Sequence, residues 1–373
     1  MVIPVQTVPY ARLAKRLFLG RGALEAIADH QQVVCPEEIR ANRPAIFLPG
    51  QLERITGAPS ESTKEEEVAA AIAPTTVHGA TIAYHIKGAT LVDGSIYAKH
   101  YRHFIADKSL IDTPLRELRH LKTAALASSY YGTKYFGHWL RDDCPSHLLA
   151  ADFGEPLCLR TPFPHQQAYQ DYFGQDWTPT DRARIDHLVI FQDFGHNSFK
   201  RKRFALLRNR LRSRYPGTGK EAFVYLRRGR SGVARLVQNE DEILEAIVKL
   251  GFVILDVASD PLDRILATLA DAKLVVSIEG SHLAHCGAAI PTGGGLLVLQ
   301  PCDRFSHTQR SWCESVGARF GFVVGMRSGA GYHFSVSEIL RTTDLMLRNI
   351  ETQPDVEPLH PALPVQVPLS AAV

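Results

Sequence analysis

Between residues 223 and 300 short apolar runs alternate with amphipathic ones. FVYL, FVILDV, KLVVSI and LLVLQP are strand-length and rich in β-branched residues. Between them Ile243, Leu244, Ile247 and Leu250, then Leu262, Ile265, Leu266 and Leu269, recur at helical intervals. This alternation predicts a parallel sheet with helices on both faces, in which ligands sit beyond the carboxyl ends of the strands. Asn239 stands where an N-cap belongs, with Glu242 three residues on to complete a capping box. Asp260 precedes Pro261, which suits a first helical position. Gly280-Ser281 follows a fully apolar strand and opens a short helix through Leu283, Ala284, Ala288 and Ala289.

Upstream the pattern is more broken. AIFLP at 45–49 reads as a strand, and residues 57–75 as an exposed loop followed by a short helix. TIAYHI, GATLV and SIYA read as strands, the last two joined by an Asp-Gly turn of hairpin type. A long element follows from Leu121, then a strand over residues 185–191. SFKRKRFALLRNRLRSRY predicts a long basic amphipathic helix ending at Pro216-Gly217-Thr218-Gly219, a turn-rich tetrad that marks a domain boundary. The resulting division is an N-terminal domain over 1–216, a second domain over 217–330, a C-terminal helix within 331–352 and a Pro-rich tail over 353–373.

Composition narrows the class. The chain has 373 residues, 45% of them hydrophobic and 22% charged, which is enough for two domains with packed cores. A net charge of +3 is too mild to imply nucleic acid. Six cysteines occur without a C-x-x-C pair or zinc-type spacing, as expected of buried free thiols in a reducing compartment. The start lacks the apolar core of a signal peptide, and no apolar run approaches a membrane span. The expectation is a cytoplasmic protein; peripheral membrane association and oligomeric state stay open.

Two segments carry chemistry. Helical periodicity puts His138 and Asp142 on one face, four residues apart, with Pro145 ending or kinking the element. In such a pair Asp can orient His as a general base, or His can tune an Asp that takes the proton. Farther on, Arg227, Arg228 and Arg230 follow one predicted strand, and Glu279-Gly280-Ser281-His282 another. Cationic side chains facing a helix start make a diphosphate site.

With these residues in view, the chain resembles glycosyltransferase family 61, many of whose bacterial members are capsular polysaccharide biosynthesis proteins. His138, Asp142 and Pro145 match the first family motif. Tyr225, Arg228, Arg235, Asn239 and Glu240 match the second, with Arg227 where Ser is usual. The third, often His-Gly-x-x-Leu-x-Asn, reads Glu279-Gly280-Ser281-His282-Leu283-Ala284-His285, so Glu279 and His285 depart from it. The resemblance spans roughly residues 80 to 325.

It implies an α/β chain of GT-B-like architecture, two Rossmann-like domains facing a cleft. The reaction implied is inverting transfer of a sugar from a nucleotide-diphosphate donor, UDP-linked, to a hydroxyl of a glycan acceptor in surface polysaccharide biosynthesis. Donor binding falls to Arg228, Arg235, Asn239, Glu279, Gly280, Ser281 and His282. Asp142 is the candidate base with His138 to orient it or share the proton, the reverse assignment staying open. No Asp-x-Asp occurs, so neither a metal nor another cofactor is expected; arginines and helix-start amides would stabilise the leaving diphosphate. Two other readings are a nucleotide- or glycan-binding protein without turnover, and nucleic-acid binding by the basic helix. The second is disfavoured because Phe204, Leu207 and Leu211 give that helix a packing side.

Overall fold

The computed structural model describes residues 23–92, 94–107, 118–229 and 235–352. Asp93, Arg230 and the Pro-rich tail therefore lie outside the described residues. The first sheet contains β1 (His30–Cys35), β4 (Thr81–Val92), β5 (Ser95–Ala98), β6 (Tyr101–Phe104), β7 (Arg119–Leu126), β8 (Glu155–Leu157) and β9 (Arg182–Gln192). Its strands run in the order β6-β5-β4-β9-β7-β8, with β1 added on β4. The hairpin expected at residues 93–94 is present, Val92 lying opposite Ser95. Two-residue connections of that kind allow only antiparallel neighbours. This half is accordingly a mixed sheet, a departure from the Rossmann-like domain expected here. Its parallel part is β7 with β8 on one side and β9 on the other; β7 runs through the 129–153 helical segment into β8.

The second sheet contains β10 (Ala222–Arg227), β11 (Val253–Asp256), β12 (Ala272–Ile278), β13 (Gly295–Pro301), β14 (Arg319–Ser328) and β15 (Gly331–His333), in the order β11-β10-β12-β13-β14-β15. The pairs from β11 to β14 are parallel, and only β15 is antiparallel. Every residue of β13 is buried, because parallel strands are covered on both faces and need continuous apolar runs. The chain leaves β10 for β11 on one side and then crosses to β12 on the other. The carboxyl ends of β10 and β12 thus flank a switch point, where doubly wound sheets bind ligands.

A short two-stranded sheet pairs β2 (Glu38–Ala41) with β3 (Thr75–His78). The strand expected at 45–49 shrinks to a single bridge between Ile46 and Gly321. Pro44 and Pro49 flank it, and proline has no N–H to extend a ladder. The segment nevertheless straps the N-terminal half to the second sheet: Gln51 Oε1 accepts from Val324 N at 2.6 Å, and Arg54 pairs with Glu338 at 2.6 Å. One apolar core runs through both halves, from Ala125, Trp139 and Phe204 to Val224 and Phe322. All six cysteines are buried and free, as expected. Among the described residues no helix is long and apolar enough to cross a membrane.

Candidate active site

The first half of the site hangs from the carboxyl end of β7. Ser129 caps the short helix Tyr130–Lys134, its Oγ accepting from Gly132 N at 3.0 Å. The helical turn Phe136–His138 follows, then a π-helical turn, Trp139–Asp143, and then the helix Cys144–Phe153. Pro145 does not end this element: it sits in the first turn of the last helix, where its missing N–H costs nothing. The π turn just before it widens the spiral, a feature common at functional sites.

His138 and Asp142 face each other as their spacing predicts, His138 Nδ1 lying 2.8 Å from Asp142 Oδ2. The other carboxylate oxygen receives Lys200 Nζ at 2.6 Å. Lys200 also donates to Asp193 O at 2.9 Å and is almost fully buried. Burial alone would raise the Asp142 pKa, but the Lys200 charge and the His138 hydrogen bond outweigh it and hold the carboxyl well below its usual range. Its neighbour Asp143 is pushed the other way by burial, only partly offset by the Ser129 hydroxyl, which donates to it at 2.7 Å. Behind the pair, burial and then Lys200 push His196 well below the ordinary histidine value, so that imidazole is neutral. Tyr131 and Tyr135 flank His138 in tilted contacts with ring centroids 5.4 and 6.2 Å away. His138 itself keeps 35% of its side chain exposed. Trp139 is fully buried and packs in the core.

The second half is built on the carboxyl ends of β10 and β12. Arg227, the last residue of β10, turns away to Glu240 at 2.8 Å, and Tyr225 shares that carboxylate at 3.1 Å. Arg228 is buried instead beside the turn after β12, its Nη1 3.5 Å from Glu279 O. Arg235 donates to the same carbonyl at 3.0 Å and pairs with the Glu279 carboxylate at 2.6 Å. Burial first, and then the charge of Arg235, lower the Arg228 pKa to about 10. Gly280 is required by close approach: a Cβ there would lie 3.1 Å from Arg228 Nε and 2.9 Å from His282 Nδ1. His282 is anchored through Nε2 to Ser277 Oγ at 2.8 Å. Its buried Nδ1 has no hydrogen-bond partner among the described residues.

Asn239 stands apart from this group. Its side chain is taken up by the backbone of Phe334, accepting from N at 3.1 Å and donating to O at 2.8 Å. Asn239 precedes the helix Glu240–Val248 as expected, yet makes no capping bond, because Phe334 outcompetes the helix for its amide. Pro261 likewise occupies the position before the helix Leu262–Ala270, one residue earlier than its spacing suggests. His285 is buried against Phe136 and bonds to the Tyr169 hydroxyl at 2.7 Å, a packing position.

The two halves meet at Gly137 and Ser281. A Cβ on Gly137 would lie 3.2 Å from Ser281 Cα, so the turn carrying His138 rests directly on the turn after β12. Arg141 ties the same turn to the far half, donating to Gln309 at 3.1 Å and lying over the Trp312 ring at 4.7 Å. Two of the motifs distant in sequence are thus brought into direct contact. Lys200 is not among the residues expected from sequence, because only Phe204, Leu207 and Leu211 are assigned to the packing side of the basic helix. The signal was there: Lys200, Arg203, Phe204, Leu207, Arg208 and Leu211 recur at helical intervals, and all are buried. Among the described residues no cluster of three or more metal-ligating side chains occurs.

Residues 136–295 match the family model described as Glycosyltransferase 61. That match supports a glycosyltransferase, and it spans both segments that meet here. Among curated proteins nothing matches the chain. Among solved structures, a mutant of the flavo di-iron protein from Thermotoga maritima is 11% identical with a TM-score of 0.27, covering 49% of this chain and 47% of that one. A metal-soaked flavodiiron core of Flv1 from Synechocystis sp. PCC6803 is 8% identical with a TM-score of 0.26, covering 72% of this chain and 64% of that one. The chain thus spans less than two thirds of the length of either.

Proposed function

We propose that this chain transfers a sugar from a nucleotide-diphosphate donor to an acceptor hydroxyl of a glycan, with inversion and without a metal. The observation that carries the reading is the Gly137–Ser281 contact, which seats the His138–Asp142 pair on the arginine-lined switch point. The donor diphosphate would lie beyond β10 and β12, against Arg228, Arg235 and Ser281, within the 217–330 unit. Guanidinium groups there neutralise charge on the departing phosphate. A two-domain GT-B arrangement and a role in surface polysaccharide synthesis belong to the same proposal, the mixed first sheet being the variation on it.

His138 is the better base of the pair. Asp142 is held ionised by Lys200 and His138, and a carboxylate so stabilised is a weak proton acceptor. Its oxygens are also both engaged, whereas an imidazole donating Nδ1–H to Asp142 presents a lone pair at Nε2. As the acceptor oxygen attacks the anomeric carbon, its proton passes to His138 Nε2. The glycosidic C–O bond forms, the C–O bond to phosphate breaks, and the nucleoside diphosphate leaves with the bonding electrons.

Thermal-shift measurements with UDP and GDP test donor binding, since a ligand selective for the native state raises Tm. At least one should stabilise the wild type. Arg228→Ala should weaken that affinity by on the order of 2 kcal/mol through loss of a charged hydrogen bond. Unchanged affinity in a folded variant would remove the switch point from donor binding.

A further inference from the structure

The crevice holds a third arginine that none of the three motifs contains. Arg304 follows β13, the parallel neighbour of β12, and its backbone N–H returns to Pro301 O at 3.3 Å. Three adjacent strand ends, those of β10, β12 and β13, thus deliver Arg228, Glu279 and Arg304 to one edge of the sheet. Arg304 is close enough that its charge acts on both Arg228 and Arg235. Its buried Nε has no hydrogen-bond partner among the described residues, nor has that of Arg235. Glu279 is the carboxylate acting on both Arg228 and Arg235, and Arg235 is already paired with it. Arg304 thus adds a like charge beside Arg228 and Arg235, and the buried Nε donors of Arg235 and Arg304 stay unfilled among the described residues, which is the condition of an anion site awaiting its anion.

We propose that Arg304 is a third phosphate-binding arginine of the donor crevice, offsetting the positive charge that Glu279 withdraws from Arg235. The inference rests on the donor site proposed above, and it concerns a place where this chain departs from the family motif, since Glu279 stands where His is common. A carboxylate in a phosphate pocket repels the ligand; without a compensating cation the pocket would bind a diphosphate poorly. Arg304 supplies that cation from a neighbouring strand.

Pyrophosphate is the probe, because it carries the shared diphosphate chemistry without committing to a base. Isothermal titration at low salt would compare the wild type with Arg304→Gln, Glu279→Gln and the double variant. Arg304→Gln should bind about tenfold more weakly and Glu279→Gln about tenfold more tightly, as expected for charged contacts. The double variant should return close to wild type, and orthophosphate should respond less than pyrophosphate throughout. Should Arg304→Gln lose its fold, Arg304→Lys keeps the charge and should lose only part of the affinity. Pyrophosphate affinity unchanged in Arg304→Gln or Arg304→Lys, while Arg228→Ala weakens it, overturns the role of Arg304 and leaves the donor site standing. Affinity unchanged in Arg228→Ala as well overturns the donor site itself.

Discussion

His138→Gln is expected to cut turnover by about 10²- to 10⁴-fold while leaving Tm and nucleotide affinity near wild type. That range is the usual contribution of a positioned general base. The side chain is 35% exposed and its polar contact among the described residues is the Asp142 carboxylate, so its removal opens no core cavity. Asp142→Asn should behave differently. The amide keeps the shape but can accept only through one oxygen, so either His138 or Lys200 loses its partner. It should lose stability as well as rate. If Asp142→Asn were as inactive as expected of a base while His138→Gln turned over normally, the roles would be reversed. Steady-state kinetics and melting curves on the same preparations decide this.

The largest effect on stability should come from Lys200→Met. Removing one member of a buried ion pair strands the other; with Asp142 still 23% exposed, a loss of about 3 kcal/mol is expected, the lower end of what such breaks cost. The sign of the pH dependence follows from Asp142. Its folded-state pKa is depressed, so the pair stabilises the protein above the ordinary aspartate value of about 4 and loses that contribution as pH falls through the lower folded value. The stability gap between wild type and Lys200→Met should therefore be full at pH 7 and narrow below about pH 4. Denaturant titrations at several pH values give the comparison; a gap that stays constant down to pH 3 would mean that Lys200 acts through packing alone.

Much of the second sheet was legible because parallel strands buried on both faces must read as continuous apolar runs, and the helices between them as 3.6-residue stripes. Of the first sheet only β4, β5 and β9 were legible as strands; β1, β6 and β8 were too short or weakly patterned to read, and β7 falls within the long element from Leu121. Short turns said which neighbours were antiparallel, whereas the insertion of β9 between β4 and β7 is a long-range choice no local pattern records. In the site, His138 and Asp142 could be paired from spacing alone, since a helix fixes residues four apart. Lys200 and Arg304 could not: each arrives from a separate element, and only tertiary packing brings it to its partner. Asn239 holds the N-cap position that its spacing predicts, but its side chain bonds to Phe334, 95 residues away, a partner that no local pattern records.

The most direct test is release of nucleoside diphosphate from a panel of nucleotide sugars, measured with glycan acceptors present and EDTA in the buffer. At least one donor should be consumed by the wild type at a rate that EDTA leaves unchanged. With that donor, His138→Gln should fall by about 10²-fold or more. Consumption that stops with EDTA and returns with magnesium or manganese would contradict the metal-free reading; equal rates in wild type and His138→Gln would contradict the site.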